Sequence, residues 1–177
     1  MEAALLRQYP TLVDFGNKFN IHAVSKYGKK EYLDAAINGN YCTLKGLQKA
    51  YGEGAPQAWL IIQLTGLSQA LGLTDKTTRF QLEEIAEMLY DDWGWLKYTE
   101  FLQAFRYLRK LYYYGRFDTS TILNGFKDWN RLVRVPTIER LEKSEQMKRE
   151  EEWKRKAVPM PESCKNKLNQ LLNKFSV

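Results

Sequence analysis

The sequence predicts an all-α protein: a compact helical bundle followed by a charged linker and a C-terminal amphipathic helix. Periodicity is the first ground, since apolar residues recur at helical spacing through Pro56 to Leu71, Thr78 to Asp92 and Tyr98 to Leu111. Helix-start chemistry is the second: Thr78 with Gln81, and Asp118, stand at the heads of such segments. Composition is the third. The 177 residues are 44% hydrophobic and 14% aromatic, enough for a real core and too apolar for a globally disordered chain.

Taken in order, Leu12, Phe15 and Phe19 follow Pro10 at helical spacing, and a proline near a helix start sacrifices only an amide that would be unpaired there. Between Ile21 and Gly54 the pairs and triplets Tyr27-Gly28, Asn38-Gly39-Asn40 and Gly52-Glu53-Gly54 punctuate the chain, so short helices such as Glu31 to Ile37 joined by loops are expected. Leu60, Leu64, Leu67 and Leu71 form one stripe, widened by Trp59, Ile61 and Ile62, which makes Pro56 to Leu71 a central buried helix. Gly72 can end it in a left-handed conformation. Thr78 and Gln81 have capping-box spacing for a helix carrying Leu82, Ile85, Ala86 and Leu89. After Trp93-Gly94, a helix from about Tyr98 turns Phe101, Leu102, Phe105, Leu108 and Leu111 inward. The run Tyr112 to Phe117 is an aromatic connector, and Asp118 caps a further helix with Ile122, Phe126 and Trp129 on one face. The expected core is Leu60, Leu64, Leu67, Leu82, Ile85, Leu89, Phe101, Phe105, Leu108, Ile122, Phe126 and Trp129.

Residues 1–135 are therefore read as a helical core domain. Residues 136–161, mostly charged with mixed signs, are a linker or an exposed helix. Residues 162–177 are an amphipathic tail helix, with Cys164, Leu168, Leu171, Leu172 and Phe175 facing away from Lys165, Lys167 and Lys174.

The formal charge of +6 permits a polyanionic partner without demanding one. No apolar run reaches the roughly 20 residues of a membrane span, and the opening residues lack the pattern of a signal peptide, so no membrane partner and a cytoplasmic location are expected. Cys42 and Cys164 form neither a CxxC motif nor a disulfide framework and are expected to be reduced. Enzymatic chemistry finds little support. His22 is the only histidine, the adjacent pairs Glu83-Glu84 and Asp91-Asp92 point in different directions, and Gly52-Glu53-Gly54 lacks the lysine and hydroxyl of a phosphate loop. No catalytic residue, metal site or cofactor is assigned.

Half of the aromatic residues lie between Trp93 and Trp129, where they alternate with Arg106, Arg109, Lys110, Arg116 and Lys127. Flat rings beside cations can stack on exposed bases while the cations neutralise phosphates. Helical spacing gives Phe101, Phe105, Phe126 and Trp129 to the core. Consecutive residues of a connector cannot all point inward, which leaves Tyr112, Tyr113, Tyr114 and Phe117 as candidate binding rings beside Arg106, Arg109, Lys110 and Arg116. A competing site lies at Leu67 to Leu82. Its order of Leu-Gly-Leu-Thr, Thr-Thr-Arg and Leu resembles the helix-turn-helix of response-regulator and sigma-factor DNA-binding regions, a resemblance that implies Asp75, Lys76, Thr77 and Arg79 facing DNA. A helix capped by Thr78 starts too late for that motif.

Four stretches carry a broader likeness: Tyr9-Pro10-Thr11-Leu12, Thr78-Arg79-Phe80-Gln81-Leu82, Trp95 to Phe101, and Tyr114-Gly115-Arg116-Phe117-Asp118 running on to Ile122 and Trp129. Together they resemble, over roughly residues 9–135, a family of small helical proteins carried by phages and mobile elements of gut Bacteroidetes. The resemblance implies a place in phage or mobile-element replication or DNA metabolism. The functional expectation is a non-enzymatic accessory protein of the helicase-loader or single-strand-binding type. It contacts nucleic acid, single-stranded DNA foremost, through the basic aromatic segment. Leu168, Leu171, Leu172 and Phe175 dock on a protein partner such as a replicative helicase. The alternative is a phage structural or assembly protein acting through protein-protein contacts in the virion.

Overall fold

The computed structural model describes residues 2–22, 31–73, 77–111, 113, 117–156, 162 and 164–167. The chain divides into two compact units, Met1–Glu139 and Arg140–Val177. All regular structure among the described residues is helical: α1 Glu2–Gln8, α2 Leu12–Lys18, α3 Glu31–Asn38, α4 Leu44–Tyr51, α5 Ala55–Ala70, α6 Arg79–Trp93, α7 Tyr98–Leu108, α8 Thr119–Trp129, a π-helical turn Asn130–Arg134, and α9 Val135–Lys156.

Local chemistry sets most of these boundaries. Thr78 caps α6 as expected, its hydroxyl accepting from the Gln81 amide at 3.2 Å while Gln81 Oε1 accepts from the Thr78 amide at 2.9 Å. Asp118 Oδ1 accepts from the Thr121 amide at 2.9 Å to open α8. Thr11, rather than Pro10, defines the start of α2 through a second capping box, with the Asp14 amide donating to Thr11 Oγ1 at 3.1 Å. Gly72 ends α5 at φ 68°, where a side chain would be strained. The amides of Gly72 and Leu73 there donate to Gln69 and Ser68 at 3.1 and 2.9 Å, closing the exposed carbonyls of the last turn.

In the first unit α5 is the centre, packing against α2, α4 and α6, while α8 packs against both α6 and α7, and α3 lies along α7. Every residue of the expected core is buried, together with Phe15, Leu44, Leu47, Trp59 and Leu96 from elements of less regular pattern. Ile62 departs from the stripe assigned to it and is 48% exposed. The α7–α8 crossing is close: a Cβ on Gly125 would run into Leu108 Cδ2, so any larger residue here forces the Leu108 side chain to shift. Phe101, Phe105, Phe126 and Trp129 continue this seam as a chain of rings with centroids 5.4 to 6.4 Å apart.

The helix-turn-helix register is not what the chain adopts. Regular helix begins at Arg79, and the Thr77 hydroxyl is turned inward, donating to the Leu73 carbonyl at 2.9 Å beside Ser68 Oγ. Thr77 therefore faces the α5–α6 junction instead of a groove of DNA. Asp75 and Lys76 lie outside the described residues.

The second unit begins within α9. From Arg140 to Lys156 this helix is mostly exposed and buries no residue. Ion pairs at i, i+4 join Glu145 to Arg149, Glu151 to Arg155 and Glu152 to Lys156, the pattern of a helix that supports itself in solvent. Leu168, Leu171, Leu172 and Phe175 lie outside the described residues.

Burial pushes the phenols of Tyr51, Tyr98 and Tyr113 above the ordinary value, with neighbouring Tyr, Cys or Asp groups adding to the shift. An unfolded chain ionises its tyrosines near pH about 10. Above that pH it releases protons that the folded chain still holds, so stability falls as pH rises from about 10 upward. Alkaline unfolding followed by phenolate absorbance is expected to show this decline, and Tyr98→Phe, with no proton to lose, to flatten it. An unchanged alkaline limb in that variant would contradict the burial of the phenol.

Candidate nucleic-acid interface

Helix α7 has two faces. Phe101, Leu102, Phe105 and Leu108 enter the core, whereas Gln103, Arg106 and Tyr107 lie along the other side, and Lys110 follows them in the turn just past the end of the helix. These four residues form one wall of a groove of about 290 Å³. Leu33 from α3 and Val133 from the π-helical turn line the rest of it, with Trp129, buried at the end of α8, as its floor. The lining is mostly apolar, with both cations on the α7 side.

Three ties fix these walls, all from the first turn of α7. Lys97 extends its ammonium to the last carbonyls of α3, donating to Ile37 and, at 2.8 Å, to Gly39, while the Thr99 hydroxyl donates to Ala36 at 3.1 Å. The backbone of the same turn pairs with the entry to α4: Tyr98 N donates to Cys42 O and Leu44 N to Leu96 O, each at 3.1 Å, around an antiparallel bridge between Thr43 and Lys97. Glu100, with a side chain only 4% exposed, accepts from the Lys97 amide at 3.1 Å through Oε2 and from Arg134 Nε at 2.8 Å through Oε1. The Arg134 guanidinium also lies 4.8 Å over the Trp95 ring.

Arg106 and Lys110 are brought together on the groove, while Arg109 is exposed but outside its lining. Among the described residues no carboxylate pairs with Arg106, Arg109 or Lys110. The carboxylates Glu83, Glu84, Glu87, Asp91 and Asp92 are all exposed on α6. Tyr113 and Phe117 correct the expectation that their rings meet ligand. They are 7% and 1% exposed, their rings stack on each other with centroids 6.2 Å apart, and the Tyr113 hydroxyl donates to Leu108 O at 2.9 Å. Both rings are buried, with Tyr113 tied to the end of α7, so these two rings extend the core. Tyr112, Tyr114 and Arg116 lie outside the described residues.

Sequence reasoning missed Leu33, Gln103, Tyr107 and Val133. The signal for two of them was present, because Gln103 and Tyr107 share the spacing of Arg106 and Lys110. Nothing local could bring Leu33 or Val133 to the same place.

The fold and groove together define an all-α domain with a small apolar cleft edged by two cations. Compared with known proteins, the chain matches no family model, no curated protein and no solved structure. Among the described residues no helix is long and apolar enough to cross a membrane, and no group of three or more His, Cys, Asp or Glu side chains could hold a metal ion.

Arg134→Met is expected to cost about 3–5 kcal/mol, because it leaves the Glu100 carboxylate buried without its cation. The double change Glu100→Gln with Arg134→Met is expected to restore most of that loss. Denaturant melts check this, and equal stability of the single and double variants would show that the pair does not bind the π-helical turn to α7.

Proposed function

We propose that this chain is a non-enzymatic accessory protein that holds nucleic acid, single-stranded DNA foremost, on the α7 side of its first unit. The observation that carries the reading is the set Arg106, Arg109 and Lys110. These cations make no ion pair with the described carboxylates, and two of them edge a groove with apolar walls. Cations held on a rigid helix beside apolar surface suit a ligand that is anionic along one side and flat and apolar on the other, which is the chemistry of an unpaired strand. The acidic residues on α6 repel a polyanion, which favours its approach to the basic side. The resemblance to small helical proteins of phages and mobile elements suggests replication as the setting and the host cytoplasm as the place.

In the same proposal the C-terminal segment, through Leu168, Leu171, Leu172 and Phe175, docks as an amphipathic helix on a protein partner such as a replicative helicase. A tether rich in self-pairing charges keeps that segment near the nucleic acid and raises its effective concentration there.

Fluorescence anisotropy with labelled single-stranded DNA at several salt concentrations tests the first part. The combined variant Arg106→Glu, Arg109→Glu and Lys110→Glu is expected to lose measurable affinity with an unchanged circular dichroism spectrum. Since each phosphate contact to a single strand contributes about 0.7 to the salt slope, the three cations of the unaltered protein should account for a slope of about two. Unaltered binding by the variant would remove the site. Sharp self-association without any DNA binding would instead favour the assembly role.

Deletion of residues 160–177 tests the second part. It is expected to leave the thermal melt of the first unit in place while abolishing capture of the partner helicase. A melt lowered by many degrees would mean that the segment belongs to the fold, and the docking role would fail.

A further inference from the structure

We infer that the Trp129-floored groove is a pocket for one unpaired nucleobase, with the phosphates on either side of that nucleotide held by Arg106 and Lys110. The inference rests on the proposed nucleic-acid role and deepens it, from attraction along a basic surface to recognition of a single nucleotide.

Size limits the occupant first. A volume of about 290 Å³ lies at the lower end of the roughly 300–1,000 Å³ found for small-molecule sites. One ring system with its sugar fits such a space, and a folded peptide segment or a stretch of duplex does not. Chemistry limits it next. Leu33 and Val133 offer apolar contact to the faces of a flat ring, and Tyr107 offers an aromatic one. Gln103, on the same face of α7, brings a carboxamide that can both donate and accept, the combination that reads a base edge. Arg106 on the last turn of α7 and Lys110 in the turn just past its end both lie on the lining of the groove. They can bracket a sugar that reaches inward and leave both flanking phosphates outside in water.

A paired base is excluded from this arrangement because its edge is engaged with its complement and its faces with its neighbours. Only a base already free of a duplex enters without the expense of unstacking. The groove therefore selects single strands by admitting only an unpaired base, whereas the surrounding cations attract any polyanion.

Packing supports a pre-formed site. Trp129 is 1% exposed and sits in the ring chain of Phe101, Phe105 and Phe126, so the floor is part of the core. Both walls are held by the first turn of α7, through Lys97 to α3 and through Glu100 to Arg134 beside Val133.

The test compares the intact protein on an oligothymidylate and on an abasic strand of the same length and charge, by competition in one buffer. The intact strand is expected to bind at least about tenfold more tightly, the scale of one base–aromatic stack. Val133→Trp, which fills the groove without changing charge, is expected to lower the intact strand to the abasic level. Equal affinity of the unaltered protein for the two strands would overturn the pocket while leaving the phosphate-binding reading standing. Failure of both strands to bind would overturn both. The strand comparison uses the unaltered protein, so it decides the matter even where Val133→Trp fails to fold.

Discussion

One buried carboxylate organises the end of the first unit that carries the groove. Glu100 accepts the amide that starts its own helix and the guanidinium of Arg134 from the π-helical turn. A carboxylate in that environment is tolerable only while both partners are present, because an unpaired buried charge costs several kcal/mol. Helix α7 and the turn that carries Val133 are therefore fixed to each other by the same atoms. Lys97, three residues earlier, does the equivalent for α3 by donating to its last carbonyls, the groups a helix end leaves without partners. Four consecutive residues, Lys97 to Glu100, thus set the separation of the walls around the groove. The groove is a consequence of how α7 begins.

The rest of α7 explains why aromatic residues concentrate between Trp93 and Trp129. Phe101 and Phe105 meet Phe126 and Trp129 across a crossing that Gly125 makes close. Large rings fill the space between short helices with few residues, which suits elements of only 11 residues each. Tyr113 and Phe117 serve the same end by stacking under the C-terminus of α7, where the Tyr113 hydroxyl accounts for one of the last carbonyls. The aromatic density that suggests a nucleic-acid surface is mainly the density of a core. What remains outside it is narrower: Tyr107, in the company of Gln103, Arg106 and Lys110.

The elements legible in the sequence are those whose signals are local. Thr78 with Gln81 and Asp118 mark α6 and α8 to the residue, and the leucine stripe places α5 within one position at either end. α1 carries no cap signal, and Pro136, just past the π-helical turn, reads as the end of the core rather than as a residue inside a continuing helix, so neither is legible. The candidate site is half legible for the same reason. Arg106 and Lys110 stand out as cations beside rings. The groove needs Leu33 and Val133, which only the Lys97 and Glu100 ties bring alongside α7. The expectation for Tyr113 and Phe117 fails for a specific reason: the Tyr113 hydroxyl finds a carbonyl five residues back along the chain, and the Phe117 ring stacks on the Tyr113 ring, so both are buried.

Charge placement matters more here than net charge. A formal +6 spread evenly would produce a weak field in physiological salt, where screening acts over about 8 Å. The chain instead gives α6 an acidic solvent face and α7 a basic edge, and its second unit balances six of its charges against partners one turn away. Pairing within α9 keeps those lysines and arginines from competing strongly for a polyanion. Arg106 and Lys110 have no such partner among the described carboxylates, so their charge stays directed at whatever occupies the groove. A site of two or three cations and one small cleft binds a strand weakly by itself. On the proposed reading, useful affinity then comes from the second contact that the C-terminal segment makes with a protein already on the same strand, because a tethered second contact multiplies a weak first one.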